Sequence, residues 1–164
     1  MHVRRAKTAD VSAISDLVDH YRVDGRLLHK PTVTLYEDIQ DFRVALEGDR
    51  IIGCGALHVL WRDLGEIRTL GVSPEARGTG AGHALLELLI ADARELGLER
   101  LFCLTFETAF FARHGFVEIE GTPVEPEVYG ELRLSYDEGV AEFLDLERVK
   151  PNILGNTRML LELS

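Results

Sequence analysis

Residues 72 to 89 read VSPEARGTGAGHALLELL, with Gly78, Gly80 and Gly82 at alternate positions directly behind Arg77. The segment follows an apolar, strand-like run and opens into a helical pattern. Glycine inside a helix costs about 1 kcal/mol relative to alanine, so three of them at a helix start need a reason. One reason is a tight strand-to-helix turn with no ligand. The other is anion binding. The first amides of a helix lack internal partners, and the helix dipole adds positive potential there. Glycine lets the backbone approach an anion without interference from Cβ. The glycines alone leave both readings open.

The surrounding elements follow from periodicity and turn chemistry. HVRRA, residues 2–6, reads as a short strand. Thr8 is expected to cap a helix whose apolar face is Ile14, Leu17, Val18 and Tyr21. Thr34 and Glu37 have capping-box spacing and suggest a short second helix. FRVALEGDRIIGCGALHVL reads as a hairpin turning at Gly48 and Asp49, and GEIRTLGV as the strand that leads into the glycine segment. The helix beyond it places Leu86, Leu89, Ile90, Ala93 and Leu96 on one face and ends at Gly97. RLFCLTF is a strand and AFFARHG a short helix. After Gly115 the signals weaken. Pro123 and Pro126 mark a loop, VYGELRLSYDEG reads as a helix stopped by Gly139, and NTRMLLEL as a closing strand. No repeat, low-complexity tract or linker interrupts the pattern. Residues 1–164 are therefore expected to form a single domain of the α/β (α+β) class, a mixed sheet covered by helices on both faces.

Composition narrows the partners. With 164 residues and 46% hydrophobic content, the chain has material for a real core. A formal charge of -10 argues against general binding to nucleic acid or to anionic membranes. A small anion needs only a local cationic pocket. Arg4, Arg5 and Lys7 are not followed by a continuous apolar run, so no signal peptide is expected. No apolar stretch reaches the roughly 18 residues of a membrane span. Cys54 and Cys103 sit in strand-like runs, which reads as buried thiols in a reduced, cytoplasmic protein. No metal-ligand spacing links cysteine and histidine, so no metal is expected.

The loop also fails two nucleotide-binding patterns. A phosphate-binding P-loop ends in Gly-Lys-Ser/Thr, whereas this segment ends in Gly82-His83-Ala84. The dinucleotide fingerprint needs a third glycine where His83 stands. What fits is R-x-x-G-x-G, as Arg77, Gly80 and Gly82. This closely resembles the pyrophosphate loop of the GNAT superfamily of N-acetyltransferases, which bind acetyl-CoA. In that family the preceding strand ends in an apolar-x-Val unit, here Leu70-Gly71-Val72, and FFARHGF resembles a second coenzyme-side motif ending in Gly-Phe. The resemblance runs over residues 3 to 118. It implies the GNAT fold, with a mixed, mostly antiparallel central sheet and helices on both faces. It also implies acetyl-CoA as co-substrate. The backbone of Leu70, Gly71 and Val72 would pair with the pantetheine arm. The amides of Gly78, Thr79, Gly80, Ala81 and Gly82 would hold the pyrophosphate, with Arg77 adding charge.

Acetyl transfer to an amine needs a neutral nucleophile, a polarised thioester carbonyl and a proton for the departing thiolate. Glu66, on the strand leading to the loop, is the candidate base, because burial would raise its pKa. A solvated strand-edge carboxylate is the alternative. Arg68 shares a face with Glu66 and suits either an ion pair with it or recognition of a carboxylate substrate. GEIRTLGV, RLFCLTFETAFFARHGF and VKPNILGNTRMLLEL together resemble N-acetylglutamate synthases, especially the short type without an amino-acid-kinase domain. That likeness implies L-glutamate as acceptor, the first committed step of arginine biosynthesis, and direct transfer without a covalent enzyme intermediate. An acidic protein must gather cations to hold a dicarboxylate. Lys30, Arg68, Lys150 and Arg158 are the candidates, each with a solvated surface charge as its alternative. Thr105 matches a small hydroxyl position in the family, which implies contact with substrate or a proton relay, with an ordinary strand threonine as the alternative. Many relatives carry a tyrosine acid where this chain has Phe111, so the acid is left among Thr105, Tyr129, Tyr136 and water, with unaided departure of the coenzyme thiolate as the alternative. His58 and His114 receive no catalytic role. Glutamine or aspartate as acceptor, another small amine, and a non-catalytic acyl-CoA-binding module are the competing readings. Dimers are common among similar proteins, so a homodimer is one option for the assembly, and the sequence does not decide the oligomeric state.

Overall fold

The computed structural model describes residues 1–23, 30–153 and 155–163. In chain order it contains β1 (His2–Arg5), α1 (Val11–Val23), α2 (Thr32–Glu37), β2 (Phe42–Glu47), β3 (Arg50–Trp61) and β4 (Leu64–Val72). Then follow α3 (Ala81–Leu96), β5 (Arg100–Thr105), α4 (Thr108–Ala112), β6 (Val117–Glu118), α5 (Pro126–Leu132), α6 (Glu138–Phe143) and β7 (Thr157–Glu162). The strands form one seven-stranded sheet in the order β1-β2-β3-β4-β5-β7-β6. It is mixed: β4 and β5 run parallel, while β1–β2, β2–β3, β5–β7 and β6–β7 are antiparallel. No helix among the described residues is long and apolar enough to cross a membrane.

By packing, the chain divides into two units, Met1–His58 with Ile67–Leu96, and Val59–Glu66 with Gly97–Ser164. In the first, strand alternation sorts the side chains of β2. Phe42, Val44 and Leu46 join Val11, Ile14, Leu17 and Val18 of α1 and Leu35 of α2. Ala45, facing the other way, joins Ala81 and Leu85 of α3. Helices therefore cover both faces of β2. Two glycines of β3 make room for α3. A Cβ at Gly53 would lie 3.1 Å from Leu85, and one at Gly55 would lie 3.0 Å from Leu89. In the second unit, Leu60, Leu64, Phe102 and Leu160 meet Leu132 of α5 and Val140 and Phe143 of α6. Phe102 and Phe143 pack edge to face with centroids 5.0 Å apart.

Several helix ends differ from the sequence expectation. Thr8 does not cap α1. It begins a single 3-10 turn, Thr8–Asp10, preceding α1, and the Asp10 carboxylate accepts from the Lys7 amide at 2.7 Å and from Arg4 at 2.7 Å. Those bonds hold the Asp10 carboxyl below the usual carboxylate range, the Arg4 bond being the largest cause. Thr34 lies inside α2, whose N-cap is Pro31, so no capping box forms with Glu37. Leu96 is 60% exposed, and Leu85 takes its place on the buried face of α3. Pro126 is the first residue of α5. Gly139 lies within α6 rather than stopping a helix, because Asp137 caps that helix through the Val140 amide at 3.0 Å.

Candidate active site

The glycine segment is a turn whose conformation requires its glycines at two positions. Gly78 and Gly80 have φ of 81° and 87°, the region that side chains with a Cβ disfavour. A Cβ at either would meet nothing within 4 Å, so the backbone there borders open space. Gly82, by contrast, lies in the first turn of α3. The helix ladder begins with the Ala84 amide donating to Gly80 C=O at 3.0 Å. The amides of Ala81 and Gly82 precede it and have no acceptor inside the helix. Thr79 shapes the turn: its hydroxyl donates to Ala76 C=O at 2.5 Å and its amide to the same carbonyl at 3.3 Å. The residues present fit an anionic group, with open space beside two left-handed glycines and the start of α3 directly after them.

The strand before the loop is distorted. Thr69 has φ of 57°, unusual for a β-branched residue in a strand. Its hydroxyl is buried with no hydrogen-bond partner among the described residues, and its carbonyl accepts from the Cys54 thiol at 3.4 Å. Beyond it, the Tyr21 hydroxyl donates to Val72 C=O, and the Arg77 guanidinium lies 5.9 Å from the Tyr21 ring centroid. The sequence marked Tyr21 only as part of the apolar face of α1. Nothing local to it signals a partner 51 residues away.

Glu66 is 3% exposed. Its Cα pairs with that of Phe102 across the parallel β4–β5 ladder. Phe102 pairs with Leu160 of β7, and Arg158 is two residues from Leu160. Alternation thus puts Glu66, Phe102 and Arg158 on one face of these strands. Arg158 lies over the Phe102 ring, its Cζ 4.9 Å from the centroid. Its guanidinium donates to Glu142 C=O at 3.0 Å, Phe143 C=O at 2.6 Å and Gly121 C=O at 3.0 Å. Burial lowers its pKa, opposed by the negative charges of Asp145 and Glu66. Cys103, next to Phe102, has its thiol pushed well above the ordinary range by burial first and by the charge of Glu66 second. Burial likewise pushes the Cys54 thiol up to about 12. Both thiols stay protonated and are poor nucleophiles.

The other candidates separate. Thr105 is three residues from Phe102, so it faces the opposite side of β5. Its hydroxyl oxygen accepts from the Glu107 amide at 2.8 Å. Lys150 pairs with Asp145 at 2.9 Å, both partly exposed. Arg68 sits on β4, two residues beyond Glu66, and is partly buried. Lys30, also partly buried, precedes α2. Among the candidate acids, Tyr129 donates to Leu144 C=O at 3.3 Å and Tyr136 is 99% exposed. Phe111 is core: its ring meets Phe116 edge to face at 5.1 Å. His58 bonds Asp41 at 2.6 Å. With Asp38 these two bring three potential ligand atoms within 4.8 Å, a grouping of carboxylates with histidine that cysteine–histidine spacing does not register.

The model of the acetyltransferase (GNAT) family matches residues 14–116. An amino-acid acetyltransferase of Mycobacterium tuberculosis is 62% identical over 98% of this chain and 94% of its own length. The solved structure of Rv2747 from Mycobacterium tuberculosis, in complex with CoA and NLQ, is similar at a TM-score of 0.96 with 61% identity, covering all of both chains. N-acetylglutamate synthase from Neisseria gonorrhoeae, complexed with coenzyme A and N-acetyl-glutamate, is similar at a TM-score of 0.78 with 27% identity. That match covers 99% of this chain and 35% of the synthase.

Proposed function

The chain belongs to the acetyltransferase (GNAT) family and is an amino-acid acetyltransferase that works with acetyl-CoA, and from that premise we propose that it acetylates the α-amino group of L-glutamate, the opening reaction of arginine biosynthesis. The observation that carries the mechanism is the burial of Glu66 on β4, on the face that also bears Arg158. Acetyl-CoA supplies the acyl group as a thioester. Glu66 takes a proton from the α-ammonium group, leaving a neutral amine whose nitrogen forms the new C–N bond as the C–S bond breaks; CoA departs as the thiolate, and the second proton that the nitrogen gives up in becoming an amide balances the thiolate as the CoA thiol. The protonated state of both cysteines supports direct attack rather than an acetylated enzyme. Gly78, Gly80, Ala81 and Gly82 hold the pyrophosphate with Arg77, Thr79 fixes the turn, and Leu70, Gly71 and Val72 line the pantetheine. Arg68 and Lys30 are assigned to the acceptor carboxylates.

One observation favours a second reading, L-glutamine as the acceptor. Arg158, a candidate for the acceptor carboxylates, is engaged by three backbone carbonyls, and Lys150, another, by Asp145. A side-chain amide needs no cation. Initial rates of CoA release with glutamate, glutamine and aspartate, against a control without amine, decide between them. A higher kcat/KM for glutamate supports the dicarboxylate reading, and a higher value for glutamine replaces it. Equal, low values for all three would discard the site.

The loop makes its own expectation. Valine at position 80 would have to adopt a φ near that of Gly80, at a cost of about 1–3 kcal/mol. Gly80→Val should weaken CoA binding about tenfold or more in a calorimetric titration. Unchanged affinity would remove residues 78–82 from the coenzyme site.

A further inference from the structure

We infer that Tyr21 is a positioning residue for acetyl-CoA, setting the spacing between the strand end at Leu70–Val72 and the loop that begins at Arg77. The inference rests on the reading of those two segments as the ones that hold the coenzyme. Tyr21 is 8% exposed and comes from α1, outside both segments. It meets them at three points. Its ring lies against Gly71, where a Cβ would sit 3.0 and 3.1 Å from two ring carbons. Its hydroxyl donates to Val72 C=O. Its ring carries the Arg77 guanidinium at 5.9 Å.

The peptide unit joining Val72 to Ser73 is thereby fixed from both sides. Its carbonyl accepts from Tyr21, and its N–H, on Ser73, donates to Ile52 C=O at 2.7 Å. A peptide plane held at both ends cannot rotate, so the direction in which the chain leaves β4 is set before the turn starts. Gly71 has no positive φ, so its lack of a Cβ serves the approach of this ring rather than the backbone. Tyr21 therefore acts on the coenzyme through other groups, not by contact with reacting atoms. Val72 C=O has a second lone pair, so the Tyr21 bond does not block it as an acceptor.

The test separates ring from hydroxyl. Tyr21→Phe keeps the ring against Gly71 and Arg77 and loses only the hydrogen bond. Tyr21→Leu loses both. CoA affinity is measured calorimetrically, well below the melting temperature of each variant, alongside kcat and KM for acetyl-CoA and for the amino acid. Tyr21→Phe should weaken CoA binding about fivefold. Tyr21→Leu should weaken it tenfold or more, with kcat and the amino-acid KM within about twofold. The cost of Arg77→Ala should be smaller in the Tyr21→Leu background than in the wild type, since the contact is already gone. If Gly80→Val weakens CoA binding but Tyr21→Leu does not, Tyr21 is only a core residue and the proposal falls while the loop reading stands. If neither changes CoA binding, both fall.

Discussion

Glu66→Gln is expected to fold normally and to lose about 10²–10⁴ of its turnover. Glutamine matches glutamate in shape, so the buried position on β4 is kept. What disappears is the capacity to take a proton from the attacking amine. The loss should appear in kcat with both substrates saturating, while CoA affinity stays near the wild-type value. Full turnover in Glu66→Gln would end the assignment of Glu66 as base and leave it as a structural carboxylate. The variant also bears on Arg158 and Cys103, because the charge of Glu66 acts on both.

Arg158→Ala is expected to cost stability as well as function. Three backbone carbonyls, those of Gly121, Glu142 and Phe143, accept from this one guanidinium. Hydrogen bonds to a charged donor contribute about 1.5–3 kcal/mol each, and unsatisfied buried carbonyls are costly. A loss of about 3 kcal/mol and a fall in Tm of roughly 10 °C are expected. Lysine should not rescue it, because an ammonium on a flexible stem cannot reproduce the planar fork. If Tm is unchanged and the amino-acid KM rises instead, the guanidinium serves the acceptor rather than the carbonyls.

The contrast between these residues shows what the sequence carries. Gly48, Gly78, Gly80 and Gly97 all have positive φ, and each was marked by local turn or cap chemistry. The β2–β3 hairpin, β4, the loop and α3 were legible for the same reason. Helix starts were less so. The Thr8 and Thr34 hydroxyls match a capping pattern, but Asp10 and Pro31 occupy the decisive positions. Glu66 was visible because a carboxylate stands on the strand leading to the loop. The engagement of Arg158 was not, because its partners are backbone carbonyls 15 to 37 residues away, and a carbonyl has no sequence identity. Thr69 was invisible for a different reason. A β-branched residue in an apolar run reads as extended strand, yet its backbone is left-handed.

The most direct measurement is product stoichiometry. The protein is incubated with acetyl-CoA and L-glutamate, then separately with L-glutamine, and both CoA and the N-acetylated amino acid are quantified over time, with Glu66→Gln in parallel. The expected result is one N-acetylglutamate formed per CoA released with the wild type, and a rate lower by about 10²-fold or more with the variant. CoA release without any N-acetylated amino acid, or equal rates for the two proteins, would contradict it.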